Sequence, residues 1–299
     1  MCAATLDFKK IRMPVKVTII SGPTASGKSD AALFIARTSE AEIISCDSVQ
    51  VYRHMDIGSA KPSAAELAQV PHSLIDVCEP SKQFNVQAYI DIAKAALENA
   101  LRRGRPVIVA GGSGFYLKAW FAAVTDELEI PACVKEFAER AELAGGAESL
   151  ANELLKVDSR AGSFVDLKNP RRTRKALERC MASGKSVEEL LTSFKTLPCP
   201  MGDIERDVQI IDRPDEELKE RIRARTRTML ARGLIGEVRS LLKMGIKENP
   251  SAAGAVGYRE TIAWLEGGLR DEEALARDIE ASTWSLVKKQ RKFFKNNLY

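Results

Sequence analysis

The sequence predicts an α/β protein: a parallel sheet core with helices on both faces, plus an all-helical insertion. Residues Gly22 to Ser29 read G-P-T-A-S-G-K-S and match the phosphate-binding pattern G-x-x-x-x-G-K-[ST] at every fixed position. Strand-like and helix-like runs alternate through the first 120 residues, the signature of parallel strands joined by crossover helices. From about residue 121 to 200 the strands stop, and helical patterns separated by Gly, Asp, Asn or Pro take their place.

The elements follow in order. Val15-Lys16-Val17-Thr18-Ile19-Ile20 reads as a strand that runs into the glycine loop. Within the loop, Gly22 and Gly27 let main-chain N–H groups turn around phosphate oxygens, with Pro23, Thr24, Ala25 and Ser26 between them. Lys28 supplies a full charge, and the Ser29 hydroxyl suits Mg²⁺. Residues 30–36 continue as a helix, whose N-terminus adds partial positive charge. Residues 42–46 form a second strand ending at Asp47-Ser48, and 86–103 a helix with Ile90, Ala93, Leu97 and Leu101 on one face. A third strand, 106–110, ends in Gly111-Gly112-Ser113-Gly114. Ligands of such sheets sit beyond the carboxyl ends of the strands, so residues 21–29, 47–48 and 111–114 should meet at one edge.

Helices are expected at 136–143, 147–156, 172–183 and 187–194, followed by a return strand at 209–211. A long helix at 216–232 carries Leu218, Ile222, Met229 and Leu230 on its apolar side. Two more helices are expected, one through Trp264 and one over 271–296. Residues 1–120 with 200–299 thus form the phosphate-loop core, and 121–199 the helical insertion; no internal repeat interrupts them.

Composition is that of a globular protein, 45% apolar and 29% charged, with no apolar run able to span a bilayer. Met1 to Met13 lacks the apolar segment of a secretory signal, so a cytoplasmic location is expected, with no membrane partner. Six dispersed cysteines without a C-x-x-C pair, and only two histidines, argue against a Cys/His zinc site. Net charge is a modest +4, but basic residues cluster at Arg171, Arg172, Arg174 and Lys175, at Arg221 to Arg227, and from Lys288 to Lys295. One such cluster reads as a solvated helix face; three together point to a polyanion partner. A phosphate loop usually marks an ATP- or GTP-using enzyme, yet the 107–110 strand ends in Gly-Gly-Ser rather than the Mg²⁺-holding aspartate, and no Asn-Lys-x-Asp occurs. A nucleoside or small-molecule kinase is therefore the alternative reading, and a noncatalytic RNA-binding protein the third.

Six strings stand in order along the chain: G-P-T-A-S-G-K-S (22–29), D-S-V-Q-V-Y (47–52), M-D-I-G-S-A-K-P (55–62), P-H-S-L-I-D (71–76), G-G-S-G-F-Y (111–116) and V-G-Y-R-E (256–260). Together they resemble the tRNA dimethylallyltransferases, or tRNA isopentenyltransferases, of bacterial type, over essentially the whole chain. The resemblance implies a P-loop NTPase-like core that uses no ATP, although the loop also admits a nucleotide. It implies transfer of a dimethylallyl group from dimethylallyl diphosphate to the exocyclic amine of the adenosine just 3′ of the anticodon, in tRNAs reading codons that begin with U. Diphosphate would leave from the loop. On the family pattern Asp47 is the general base, and Lys28, Ser113 and Arg225 stabilise the leaving diphosphate with bound Mg²⁺ near Ser29. Ser113 replaces the family's threonine; spacing alone does not choose Arg225 over Arg223 or Arg227. Asp47, Ser48, Val49, Gln50 and Ser113 would contact the base, and Arg171, Arg172, Thr173, Arg174 and Lys175 the anticodon stem-loop. Thr283 to Gln290 resembles the family's T-R-x-x-A-K-R-Q with Trp284 in the arginine position, and Phe293 stands where the family often has Trp. A monomer is expected. His72 reads as a structural or RNA-contacting residue.

Overall fold

The computed structural model describes residues 15–267 and 271–297; the leader reading of Met1 to Met13, and Cys2, lie outside them. The chain forms two compact units: Ala122–Cys199, and the described residues on either side.

The larger unit is built on a five-stranded parallel sheet. Its strands are β1 (Lys16–Ser21), β2 (Glu42–Ser45), β3 (His72–Ser73), β4 (Val107–Ala110) and β5 (Glu205–Ile210), in the order β3-β2-β4-β1-β5. Ile19 stands opposite Val109 on one side and Val208 on the other. Val17, Ile19, Ile20, Ile43, Ile44, Val107, Ile108 and Val109 are buried, as strands covered on both faces require. β5 begins earlier than the Gln209–Ile211 expectation because Glu205, Arg206 and Asp207 give it the polar, half-exposed character of an edge strand. β3 is two residues long, too short to show a period.

Helices α1 (Lys28–Ser39), α2 (Ala64–Gln69), α3 (Val86–Arg102) and α4 (Gly114–Lys118) occupy the first half. Local signals start them: Ser63 and Glu66 form a capping box on α2, and the Asn85 side chain accepts from Ala88 N–H on α3. The buried face of α3 places Tyr89 against Tyr116, rings stacked with centroids 4.1 Å apart, and Trp120 Nε1 donates to Tyr89 Oη at 2.8 Å.

The smaller unit holds α5 (Ala132–Val157), α6 (Pro170–Ser183) and α7 (Val187–Lys195) around Ala138, Leu150, Leu154, Leu177, Cys180 and Val187. The two helices expected at 136–143 and 147–156 are one element broken at Gly145 and Gly146, where the backbone leaves helical geometry and Gly146 takes φ 60°. No strand occurs among its described residues.

After β5 come α8 (Asp215–Ala231), α9 (Leu234–Lys243), α10 (Pro250–Ala253), α11 (Tyr258–Glu266) and α12 (Glu272–Asn297). The expectation of two helices after α8 is thus corrected to four. α9 buries Leu234, Val238 and Leu241 at helical spacing, but Gly236 inside it and Gly233 and Gly245 at its ends read as loop.

The carboxyl ends of β1, β2 and β4 meet in direct main-chain contact. Ser21 Oγ donates to Gly111 O at 2.8 Å, and Ser113 N–H donates to Cys46 O at 3.2 Å. A methyl group on Gly111 would lie 2.1 Å from Cys46 O, and one on Gly22 would lie 2.0 Å from Ile211 O. We therefore expect Gly111→Ala to destabilise the protein by about 3 kcal/mol through overpacking, read as a lower urea midpoint; an unchanged midpoint would show that the turn relaxes freely.

Candidate active site

The phosphate loop joins β1 to α1 and is closed from within and from outside. Ser26 N–H donates to Pro23 O at 3.3 Å, and Lys28 Nζ reaches the same oxygen at 3.3 Å. Arg213 Nε donates to Ser26 O at 2.7 Å while its other arm holds Glu217. From α12, Gln290 accepts from Thr24 N–H at 2.9 Å and donates to Gly112 O at 3.0 Å, so one amide ties the phosphate loop to the Gly111–Gly114 turn. Ser26 Oγ is buried with no hydrogen-bond partner. An orphan hydroxyl in this loop is the donor a phosphate oxygen would satisfy.

Asp47 follows β2. Its Oδ1 accepts from Val49 N–H at 2.8 Å and Gln50 N–H at 3.3 Å, which fixes the carboxylate and leaves Oδ2 outside those bonds. Ser113 Oγ accepts from Ser48 N–H at 2.8 Å and bonds Ser48 Oγ at 3.1 Å. It therefore braces the Asp47 turn and lines neither cavity described below, unlike the diphosphate contact expected of it. Gln50 also differs from expectation: its Oε1 accepts from Ser45 Oγ at 3.1 Å and its Nε2 donates to Ala60 O at 3.3 Å. One N–H and one lone pair of that amide remain for a base.

Lys28, Asp47 and Arg225 interact electrostatically at one place. Burial pushes the Lys28 ammonium down to about 8, with Asp47 opposing the shift and Arg225 adding to it. Burial likewise lowers the Arg225 guanidinium, opposed by Asp47 and Tyr258. Arg225 lies on the face of α8 that buries Ile222, Thr226 and Met229, whereas Arg223 and Arg227 are exposed, so the fold selects Arg225 where spacing could not. Arg221 is bonded to Glu217.

Two cavities meet at Arg225. One, of about 370 Å³, has Gly27, Lys28 and Ser29 on one side and apolar Leu33, Ile43 and Ala110 on another. The second, of about 90 Å³, is lined by Thr24, Asp47, Gly58, Ser59, Val256 and Gly257 with apolar residues of α8 and α12. His72 lies on the wall of the first, its Nδ1 2.7 Å from Val70 O and its imidazolium disfavoured chiefly by burial. Ser29 is exposed on that wall. Among the described residues no group of three or more His, Cys, Asp or Glu side chains could hold a metal ion unaided. A hydroxyl beside a phosphate loop does fit a hard cation that takes its remaining ligands from a diphosphate.

The basic clusters divide. Arg171, Arg172 and Lys175 are exposed on α6. Thr173 is fully buried and its hydroxyl lies 3.0 Å from Asn169 O, so the expected RNA contact there is corrected to a helix-packing role. Arg174 is held by Glu178 and Glu142, both at 2.9 Å. On α12, Arg291 is spent on Asp212 and Asp215, and Trp284 lies between Lys219 and Lys288, whose Nζ atoms are 5.4 and 5.7 Å from its ring centre. The Phe293 ring packs on Gly114, where a methyl group would come within 2.9 Å.

Sequence reading missed Arg213, the Gln290 bridge, and Glu237 of α9, which binds the 56–58 turn. The string ending at Gln290 offered a signal for one of them; nothing local marks the others.

The Lys28 shift sets a pH dependence. A bound polyanion favours the charged ammonium, so above about pH 7, where a diphosphate is itself ionised, affinity falls as pH rises through the free-protein value of about 8. Calorimetry with a diphosphate ligand should show this decline, and Lys28→Met should abolish it; an undiminished decline in the variant would assign it to another group.

Comparison with known proteins follows the same lines. The family model described as IPP transferase matches residues 50–297. A tRNA dimethylallyltransferase of Opitutus terrae is 46% identical over 299 residues, covering 100% of this chain and 94% of the relative. One of Chlamydia pneumoniae is 34% identical, covering 98% and 87%. The crystal structure of a full-length tRNA isopentenylpyrophosphate transferase from Bacillus halodurans is similar with a TM-score of 0.65 at 30% identity, over 94% of this chain and 87% of that one. With a family model spanning most of its length and full-length relatives above one-third identity, the chain belongs to the IPP transferase family.

Proposed function

We infer that this chain is a tRNA dimethylallyltransferase. It transfers the dimethylallyl group of dimethylallyl diphosphate to the exocyclic N6 of the adenosine immediately 3′ of the anticodon, in tRNAs reading codons that begin with U. The observation that carries this reading is the meeting of a phosphate-loop cavity and an Asp47-lined cavity at Arg225. The first suits a diphosphate with a short apolar tail and the second an acceptor. A kinase reading lacks its aspartate, because β4 ends at Ala110 and runs into Gly111-Gly112-Ser113.

In the transfer, a bond forms between N6 and the allylic carbon as the bond from that carbon to diphosphate oxygen breaks. The amine loses a proton, and Asp47 is oriented to take it on Oδ2 because Oδ1 is occupied by Val49 and Gln50 N–H. Charge gathers on the departing diphosphate, where Lys28, Arg225, the loop N–H groups and the Ser26 hydroxyl can meet it. The low-dielectric setting that lowers both cations also strengthens their pull on that charge. Mg²⁺ held by Ser29 and the diphosphate would add further positive charge to the leaving group. The acceptor base must leave the stacked anticodon loop to enter the cavity. The exposed cations Arg171, Arg172 and Lys175 supply RNA-phosphate contacts that position without reading sequence. The protein is proposed to act as a monomer in the cytoplasm; no described helix is long and apolar enough to cross a membrane.

The test is incubation with radiolabelled dimethylallyl diphosphate, Mg²⁺ and an unmodified anticodon stem-loop carrying an A-A-A run, without ATP. Label should enter the RNA, and Asp47→Asn should slow transfer by about 10²–10⁴-fold while RNA still binds. ATP consumption without labelled RNA would sink this reading. Separately, converting Arg171, Arg172 and Lys175 to Glu should weaken RNA binding and flatten its salt dependence, by roughly 1 in log–log slope per lost phosphate contact. An unchanged slope would remove α6 from the interface.

A further inference from the structure

The M-D-I-G-S-A-K-P and V-G-Y-R-E strings have no part in the transfer as described above, yet Glu237 of α9 joins them. Its half-buried carboxylate accepts from three consecutive main-chain N–H groups, Asp56 at 3.0 Å, Ile57 at 2.7 Å and Gly58 at 3.2 Å. It also accepts from Tyr258 Oη at 2.8 Å. The hydroxyl end of the Tyr258 ring packs against the same turn: a methyl group on Gly58 would come within 2.6 Å of it. Beyond Gly58 the turn is pinned again. Lys61 Nζ bonds Asp56 at 2.5 Å, Asp76 at 2.6 Å and Tyr52 O at 3.0 Å, while Ala60 and Asp76 hold φ of 49° and 55°. Non-glycine residues keep such angles only where surrounding bonds enforce them.

Both ends of this tie open onto the small cavity. Gly58 and Ser59 line it from the turn and Val256 and Gly257 from the residues before Tyr258, facing a wall that includes Asp47 and Arg225. The same turn reaches the donor cavity further on, through Ala60, Lys61 and Pro62, but there it is held by Gln50 and by the ion pairs of Lys61, and none of the four groups that Glu237 binds lines that cavity. We propose that Glu237 is a positioning residue that fixes the width of the acceptor cavity, and so the placement of the incoming base against Asp47, without contacting substrate. The proposal rests on the transfer reading given above. A carboxylate suits the task because it only accepts, and four donors converge on it. Glutamine would turn an N–H₂ toward some of those donors and push the walls apart.

The test compares wild type, Glu237→Gln and Tyr258→Phe in the stem-loop transfer assay, with donor affinity measured directly by calorimetry using dimethylallyl diphosphate and with thermal midpoints recorded. Glu237→Gln should lower kcat/KM for the RNA by about 10²-fold, the loss that small misplacement of reacting groups causes, while donor affinity stays within about 2-fold. Tyr258→Phe keeps the ring over Gly58, removes one donor, and should shift RNA kcat/KM in the same direction by about 10-fold or less. A general loosening of the fold would weaken donor and acceptor together. That result, or unchanged RNA kinetics in both variants, overturns the role of Glu237 while the wild type still transfers label. A wild type that transfers none overturns the transfer reading itself and this proposal with it.

Discussion

At the carboxyl edge of the sheet, three turns of chain pack with their main chains in contact, and the site exists because of that contact. Ser21 holds Gly111, Ser113 holds both Cys46 and the Ser48 turn, and Gly22 sits against Ile211 with no room for a side chain. Glycine lets polar main-chain groups approach one another at this distance. Everything chemical then hangs from the turns so fixed: Lys28 and Ser29 from the first, Asp47 from the second, and the ring of Phe293 and the amide of Gln290 braced against the third.

The second constraint is electrostatic. Two half-buried cations and one half-buried carboxylate share a place, and the desolvation that lowers Lys28 and Arg225 is offset in part by Asp47. Such a group is costly to hold without a partner of opposite charge, and an anion beside the two cations relieves that cost. The apolar residues Ile222, Met229 and Leu286 that line the smaller cavity beside Asp47 and Arg225 lower the local dielectric and make each charge count for more.

Much of this was legible in the sequence where the pattern is local. The phosphate loop, β1, β2, β4 and α3 each announce themselves by spacing, whereas α2, six residues long, was not read. Arg225 was readable in principle, since Ile222, Thr226 and Met229 set the helix phase once Thr226 is counted with the apolar face. Thr173 and Arg174 looked like parts of a basic patch because composition does not show which way a helix turns; Asn169, Glu142 and Glu178 decide it. Gln50 looked free because its partners, Ser45 and Ala60, are set by how the turn after β2 folds back. The ties that Glu237 makes to the 56–58 turn and Arg213 to Ser26 O were not readable, because those main-chain groups are brought near only by tertiary folding.

The bridge made by Gln290 has a consequence in time. Thr24, whose N–H it holds, precedes it by 266 residues. At a synthesis rate of about 5–20 residues per second, on the order of tens of seconds separate the emergence of the two. During that interval the nascent chain already carries the loop sequence, but Thr24 N–H and Gly112 O lack the amide that joins them. The polypeptide therefore acquires the tie between its phosphate loop and the Gly111–Gly114 turn late, after α12 has docked.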